Sequence, residues 1–354
     1  MSYLTDALSP HVGIPRLNHT SSELLEALTC DLTNADCMLR KCPHCKNSEC
    51  GFDPKLTHAD ASRIFPNCKQ WVADKTGRLT VEYMKWDLQR CFDEFSRRTE
   101  HFLYHVYVKR SQETFFADQK NAVDSKTVVV QVDIAENYTL QLQHEIQSAH
   151  WRHSQCTVFT AHVWVGPNVH ECFAIISDEL IHDKYSVYKY LDTILEHLRN
   201  NYEGITKVQI FSDGARCQFK QRFLFSYLHV LEAQHGMSIT WNFFASSHGK
   251  GVVDGHGATV KQAFWRRVKA GQLVRTAEEF AEVARTACPN LTILFVSKET
   301  IAENKTDLDE HWKGVKALPS THITHCVKSI APYVVSAAMV SYAPPLFNMC
   351  PTKV

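Results

Sequence analysis

Asp133, Asp213 and Asp254 are the residues whose types and spacing suggest chemistry. Asp133 closes the β-branched run Lys126-Thr-Val-Val-Val-Gln-Val-Asp133. Asp213 closes Lys207-Val-Gln-Ile-Phe-Ser212, and Asp254 opens a helical pattern just after His248-Gly-Lys-Gly251. Carboxylates are the ligands that hard divalent ions such as Mg²⁺ accept. Two such ions about 3.5–4 Å apart can activate a nucleophilic oxygen and stabilise the leaving oxygen in phosphoryl transfer. Each aspartate alone has a plainer reading. Asp before Gly is a turn residue, and Asp at a helix start is a capping residue. Their joint placement, at two strand ends and one helix start, is what favours a site. Glu136 could assist at the first strand, and Glu278 and Glu279 are fallback third acids beyond the helix stop at Gly271.

Basic residues flank the third aspartate. Lys261 falls seven residues after Asp254 and so shares its helix face. Gly257 and Ala258 leave that face uncluttered for a phosphate backbone, which Lys261 and Lys250 would neutralise. Arg266, Arg267 and Lys269 extend the basic stretch or form a solvated helix face. His150, Trp151 and His248 could line the site or serve as core and rim residues.

The cysteines suggest a second, softer kind of chemistry. Of the thirteen, six lie in the first 68 residues: Cys30, Cys37, Cys42, Cys45, Cys50 and Cys68. An odd count with one tight cluster argues for a reducing compartment and a metal, not for disulfides. Cys30-x6-Cys37-x4-Cys42-x2-Cys45 offers four thiolates, and Cys42-Pro-His-Cys45 is a short ligand hairpin. Tetrahedral Zn²⁺ suits such a set and supplies folding energy to a loop-rich segment. Cys50, His44 and Cys68 are substitute ligands. Buried free cysteines, or a redox pair at Cys42 and Cys45, are the other readings.

The elements that must hold these residues are legible in the periodicity. From Val81 to Phe95 apolar residues recur at three and four, predicting a helix that continues through 96–120. Strands follow at 126–133, 157–165 and 171–177, the last two joined by Gly166-Pro167-Asn168. A helix capped by Asp183 carries the stripe Val187, Leu191, Ile194, Leu195 and Leu198. Then come a strand at 207–212, a helix at 218–235, a strand at 239–245 and a helix at 254–270. Three consecutive strands predict an antiparallel meander, and strands separated by helices predict parallel crossovers. The fold class expected is α/β, with a mixed five-stranded sheet flanked by helices. The expected organisation is a lead at 1–26, a Cys-rich zinc-binding segment at 27–70, a helical region at 71–125, a catalytic-type domain at 126–271 and an extension at 272–354. The extension holds a helix at 276–287 and a strand at 291–296.

This order and the acid positions resemble the RNase H-like domain of DDE transposases and retroviral integrases. More closely, the chain resembles a group of transposon-derived animal proteins. The shared blocks are Asp133-Ile-Ala-Glu-Asn-Tyr138, Glu145-Ile-Gln-Ser-Ala-His-Trp151, Ser212-Asp-Gly-Ala215 with Gln218-Phe-Lys220 and Arg222, and Trp241-Asn-Phe-Phe-Ala-Ser-Ser-His-Gly-Lys-Gly251. The similarity spans roughly 27–340. It implies an RNase H-like fold and Mg²⁺ or Mn²⁺ held by Asp133, Asp213 and Asp254. It also implies DNA as partner, contacted through Lys220, Arg222, Lys250 and Lys261, and a nuclear site of action, and it allows a homo-oligomer. DDE enzymes mostly carry Glu at the third position, whereas this chain has Asp254, one methylene shorter.

Composition limits the alternatives. Apolar residues make up 44% of 354 and charged residues 21%, a folding composition and not a disordered one. Lys+Arg and Asp+Glu are both 38, which excludes binding of nucleic acid by bulk charge and leaves a local patch. No stretch reaches the roughly 20 apolar residues of a membrane span, and Met1-Ser-Tyr-Leu-Thr-Asp6 lacks the pattern of a secretory leader. The expected function is metal-dependent DNA strand cleavage or joining. The alternative is an inactive, domesticated or truncated copy that binds DNA or protein through the same surface.

Overall fold

The computed structural model describes residues 21–48, 61–140, 154–166, 168–246, 248–249, 251–331, 334–341, 343 and 345–349. No described helix is long and apolar enough to cross a membrane. The chain divides into two compact units, Met1–Tyr107 and Val108–Val354.

The first unit holds α1 (Ser21–Leu28), α2 (Ala35–Met38), the hairpin β1 (Cys68–Ala73) and β2 (Leu79–Met84), and the start of α3 (Leu88–Asn121). Leu28, Ala61, Cys68, Leu88, Cys91 and Phe95 form one small core, and Leu25, Met38 and Leu103 another. The hairpin corrects the sequence expectation of helix from Val81 and of an all-helical 71–125. Spacing of three between Val81 and Met84 fits a helix, but local turn chemistry decides otherwise. Asp74 Oδ1 accepts from the backbone N–H of Thr76 and Arg78, and Gly77 takes φ 84°, which closes the turn and pairs Trp71 with Val81. The helix begins only at Leu88.

The second unit is built on β3 (Thr127–Thr139), β4 (Gln155–Gly166), β5 (Val169–Ser177), α4 (Lys184–Asn201), β6 (Lys207–Ser212), α5 (Arg222–His235), β7 (Ser238–Phe243), α6 (Val252–Lys269), α7 (Ala277–Ala287), β8 (Thr292–Phe295), α8 (Lys298–Glu303), α9 (Lys305–Trp312), β9 (Cys326–Ala331), β10 (Val334–Ala338) and β11 (Pro345–Met349). The protein is mixed α/β. Its strands form one nine-stranded sheet in the order β11-β10-β9-β7-β6-β3-β4-β5-β8. The meander β3-β4-β5 is antiparallel, while β6 lies parallel to β3 and β7 parallel to β6. Five strands were expected, and those five are central. The correction is that 272–354 is no separate extension. Its strands add to both edges, β8 parallel to β5 and β9 antiparallel to β7. The strand expected at 291–296 is β8, whereas the short, weakly patterned β9 to β11 become legible only when an existing edge receives them.

Each face of the sheet is covered. Val128, Val130 and Val132 point to the α4–α5 side, where Val187, Leu191, Ile194 and Leu198 make the stripe read from the sequence. Asp183 caps α4 through the N–H groups of Tyr185 and Ser186. On the opposite face Cys156, Val158, Ala174 and Ile176 meet Val260, Phe264 and Phe280 of α6 and α7. Gln112, fully buried on the part of α3 within this unit, donates to the carbonyls of Phe243 and His325. Its own oxygen accepts from the N–H and hydroxyl of Ser341. A buried amide with all these partners satisfied fixes the β7–β9 pairing.

Candidate metal centres

The acids are placed by strand register. β3 and β6 run parallel, with Gln131 opposite Phe211. Two residues further on each strand stand Asp133 and Asp213, on the face that α6 covers. The segment leading into α6 lies against the same two strands. A Cβ at Gly249 would come within 2.8 Å of the Asp213 Cβ, and one at Gly251 within 2.5 Å of Gln131 Nε2. Gln131 also donates to the Gly249 carbonyl at 3.4 Å. Glycine is required there because backbone touches side chain directly. This close approach brings Asp254, in the first turn of α6, towards the end of β6 and the middle of β3. Asp133 does not end its strand as expected but sits midway along it, because pairing with β4 carries β3 on to Thr139.

The electrostatics report the gathering. Burial, then the charges of Asp213 and Asp254, push the Asp133 carboxyl up to about 6. Burial also raises Asp213, opposed by the Ala215 N–H that its Oδ1 accepts. Asp254 is exposed, and its Oδ2 accepts the Gly251 N–H at 2.7 Å, so it caps the first turn of α6. The three carboxylates are not within 4.8 Å of one another as a set, the spacing one shared ion would require. A pair of ions several ångströms apart accepts a wider set.

The other sequence-derived residues fall variously. Lys261 Nζ donates to the Glu136 carbonyl at 3.2 Å, close to the acid-bearing strand. Arg222 is exposed at the start of α5, against the Phe223 ring. Lys220 corrects the expectation of an open phosphate contact. It is 5% exposed, burial lowers its pKa to about 8, and its ammonium packs beside Gly214 and the Phe243 ring. His248 stands in the loop before α6, its N–H bonded to the Ala245 carbonyl. Arg266, Arg267 and Lys269 lie in the last turn of α6, and Glu278 and Glu279 in the first turn of α7, away from the acids in sequence and element. Lys250, His150, Trp151 and Cys50 lie outside the described residues.

The four-cysteine cluster is local. Cys30, Cys37, Cys42 and Cys45 bring their sulfurs within 4.8 Å of one another and could hold a metal such as zinc. Cys30 Sγ is 3.4 Å from Cys37 Sγ and 3.7 Å from Cys42 Sγ. A tetrahedron of sulfurs about 2.3 Å from Zn²⁺ has edges of about 3.8 Å, so the donor set fits. Asn34 caps α2 and so fixes Cys37. Arg40, at φ 60°, reaches the carbonyls of Cys45 and Ser48 at 3.1 and 2.6 Å and ties the loop around the sulfurs. Backbone N–H groups of Cys45 and His44 aim at the Cys42 sulfur and pull its pKa down to about 6. Burial and the neighbouring sulfurs push Cys37 up to about 12. A cation would stabilise all four as thiolates. Cys68 instead packs in the core with Cys91.

Sequence reasoning missed a third group. His162, Cys172 and His256 also bring ligand atoms within 4.8 Å of one another. Burial, then the His256 and His170 rings, push His162 down to about 4, so its ring is neutral. One signal was available. His162 and Cys172 are equidistant from the turn between β4 and β5, which makes them cross-strand partners.

The model of a family described as a domain of unknown function (DUF8701) matches residues 112–341, and the chain belongs to that family. The match begins and ends on residues that hydrogen-bond each other, Gln112 and Ser341. No curated protein and no solved structure matches the chain.

Proposed function

We propose that the chain is a transposase-derived protein with an RNase H-like domain that cleaves or joins DNA strands by metal-dependent phosphoryl transfer. The observation that carries this reading is that Asp133 and Asp213 follow adjacent parallel strands, with the charges of Asp213 and Asp254 near enough to raise the Asp133 carboxyl. A three-stranded meander followed by parallel crossovers supports the same reading. In it, Asp133 and Asp213 hold Mg²⁺ or Mn²⁺, and Asp254 completes the set by releasing its capping bond. Bound ions would supply charge stabilisation at the attacking and leaving oxygens. The chain's own residues do the rest. The glycines at 249 and 251 let the loop lie on the sheet and fix the acids. Lys261 and Arg222 offer positive charge to the phosphate backbone. The four thiolates hold a structural Zn²⁺. Action on DNA would place the protein in the nucleus.

One observation favours the non-catalytic alternative, a DNA- or protein-binding module: Asp254 is occupied as a capping residue. Asp254→Asn separates the two, because the amide oxygen still accepts from Gly251 while the charge is gone. Purified protein should nick labelled DNA with Mg²⁺ or Mn²⁺, and Asp133→Asn and Asp254→Asn should each abolish it. Protein that binds DNA without nicking it under either ion establishes the module reading.

A further inference from the structure

We propose that His162, Cys172 and His256 form a second transition-metal site, of zinc class, independent of the acidic group. The three ligands come from β4, β5 and α6. Register places the first two, since His162 and Cys172 are directly paired across the hairpin. Helix packing places the third, because α6 lies over Thr160 and Ala135 at Gly257.

The distances suit a small cation. His162 Nδ1 is 2.9 Å from His256 Nε2 and 3.5 Å from Cys172 Sγ. Zinc bound at about 2.0–2.1 Å to nitrogen and 2.3 Å to sulfur needs edges of about 3.3–3.6 Å. These two edges therefore have to open by only a few tenths of an ångström, and the third lies within 4.8 Å. Hydrogen bonding satisfies the cluster only in part. Nδ1 of an imidazole carries either one lone pair or one proton, yet it is approached by two heteroatoms at once. A central cation accepts one lone pair from each of the three groups and resolves that conflict.

The ligand set also selects the ion. Two imidazoles and a thiolate are borderline-to-soft donors that favour zinc-class ions over Mg²⁺. His162 is 7% exposed, while Cys172 and His256 are half-buried, which leaves one side for a water as fourth ligand. The exposed His170 ring lies parallel to His162, with centroids 5.1 Å apart, and walls that side. The bound ion would pin the first turns of α6 to the β4–β5 hairpin. Those turns also carry Asp254, so the site would act as a clamp on the position of the third acid.

The test is metal analysis of the full chain purified without chelators. Wild type should carry one zinc for each of the two clusters. Cys172→Ser and His256→Asn should each lose one equivalent while keeping wild-type circular dichroism. Cys42→Ser should lose the other, and Cys42→Ser with Cys172→Ser should lose both. As a second readout, Cys42→Ser loaded with Co²⁺ should show a thiolate-to-cobalt charge-transfer band that Cys172→Ser removes. Zinc content unchanged by Cys172→Ser and His256→Asn, or no cobalt band in Cys42→Ser, would overturn the proposal. These outcomes do not depend on whether DNA is nicked.

Discussion

The four-cysteine cluster and the acidic cluster are both candidate metal centres, and they are assembled in opposite ways. The sulfurs come from a stretch of sixteen residues, Cys30 to Cys45. They are shaped by one cap, Asn34, and one arginine in the left-handed conformation, Arg40. The carboxylates lie 121 positions apart at their extremes (254−133) and approach one another only because β6 returns beside β3 and α6 starts against both strands. A local site supplies folding energy to its segment when metal binds. A long-range site draws its precision from a core that is already folded, and that core tolerates the cost of crowded like charges.

The largest expected effect breaks the local centre. Cys42→Ser removes one thiolate from a cluster whose zinc binding is of order 10–16 kcal/mol in comparable small sites. Proteolysis should then cut within residues 27–70, while the unit from Val108 onward should melt as in wild type. Residues 27–70 that stay protease-resistant in Cys42→Ser would show that the first unit's fold does not rest on the cluster, and loss of both transitions together would show that its effect is not local.

The acidic centre should respond in activity rather than in folding. Asp133→Asn should lower Mg²⁺-dependent nicking by about a thousand-fold, several kcal/mol at the transition state. Nicking that persists at the wild-type rate would remove Asp133 from the chemistry.

The same substitution should stabilise the metal-free protein. Folding raises the Asp133 pKa from its ordinary value to about 6. Between about pH 4 and 6 the folded state therefore binds more protons than the unfolded state, and stability falls as pH rises through that window. The amount is about 2 kcal/mol after allowance for partial solvent exposure. Asp133→Asn should flatten this slope in chemical denaturation and be the more stable form at pH 7. Millimolar Mg²⁺ should recover the difference in wild type by mass action. A slope equal in both proteins would show that the acids are not crowded.

A smaller effect tests the loop that delivers Asp254. Gly249→Ala places a methyl 2.8 Å from the Asp213 Cβ and 3.2 Å from its Cα. The cost should be about 1–3 kcal/mol, read as a lower melting temperature of the second unit, because backbone has to shift. The smallest change is Thr276→Ala. It removes the cap to the Glu279 N–H of α7 and should cost about 1 kcal/mol without touching either centre.

Much was legible in the residues. The stripe of α4, the β-branched run of β3 and the Cys42-Pro-His-Cys45 hairpin follow from period, branching and ligand spacing, which are local properties. The four sulfurs were readable as a set for the same reason. What the sequence could not give was settled by partners far along the chain. β1 and β2 pair because a turn closes at Asp74–Gly77, against a helix-like spacing of apolar residues. β9 to β11 extend the sheet because its edges offer unpaired hydrogen-bonding groups that weakly patterned segments can fill. Lys220 reads as a surface cation but is buried, since it packs against Gly214, the Phe243 ring and the His322 carbonyl. His162, Cys172 and His256 look unrelated in sequence. Only strand register and the close seat of α6 bring them together, because a ladder fixes side-chain neighbours by pairing and not by proximity in the chain.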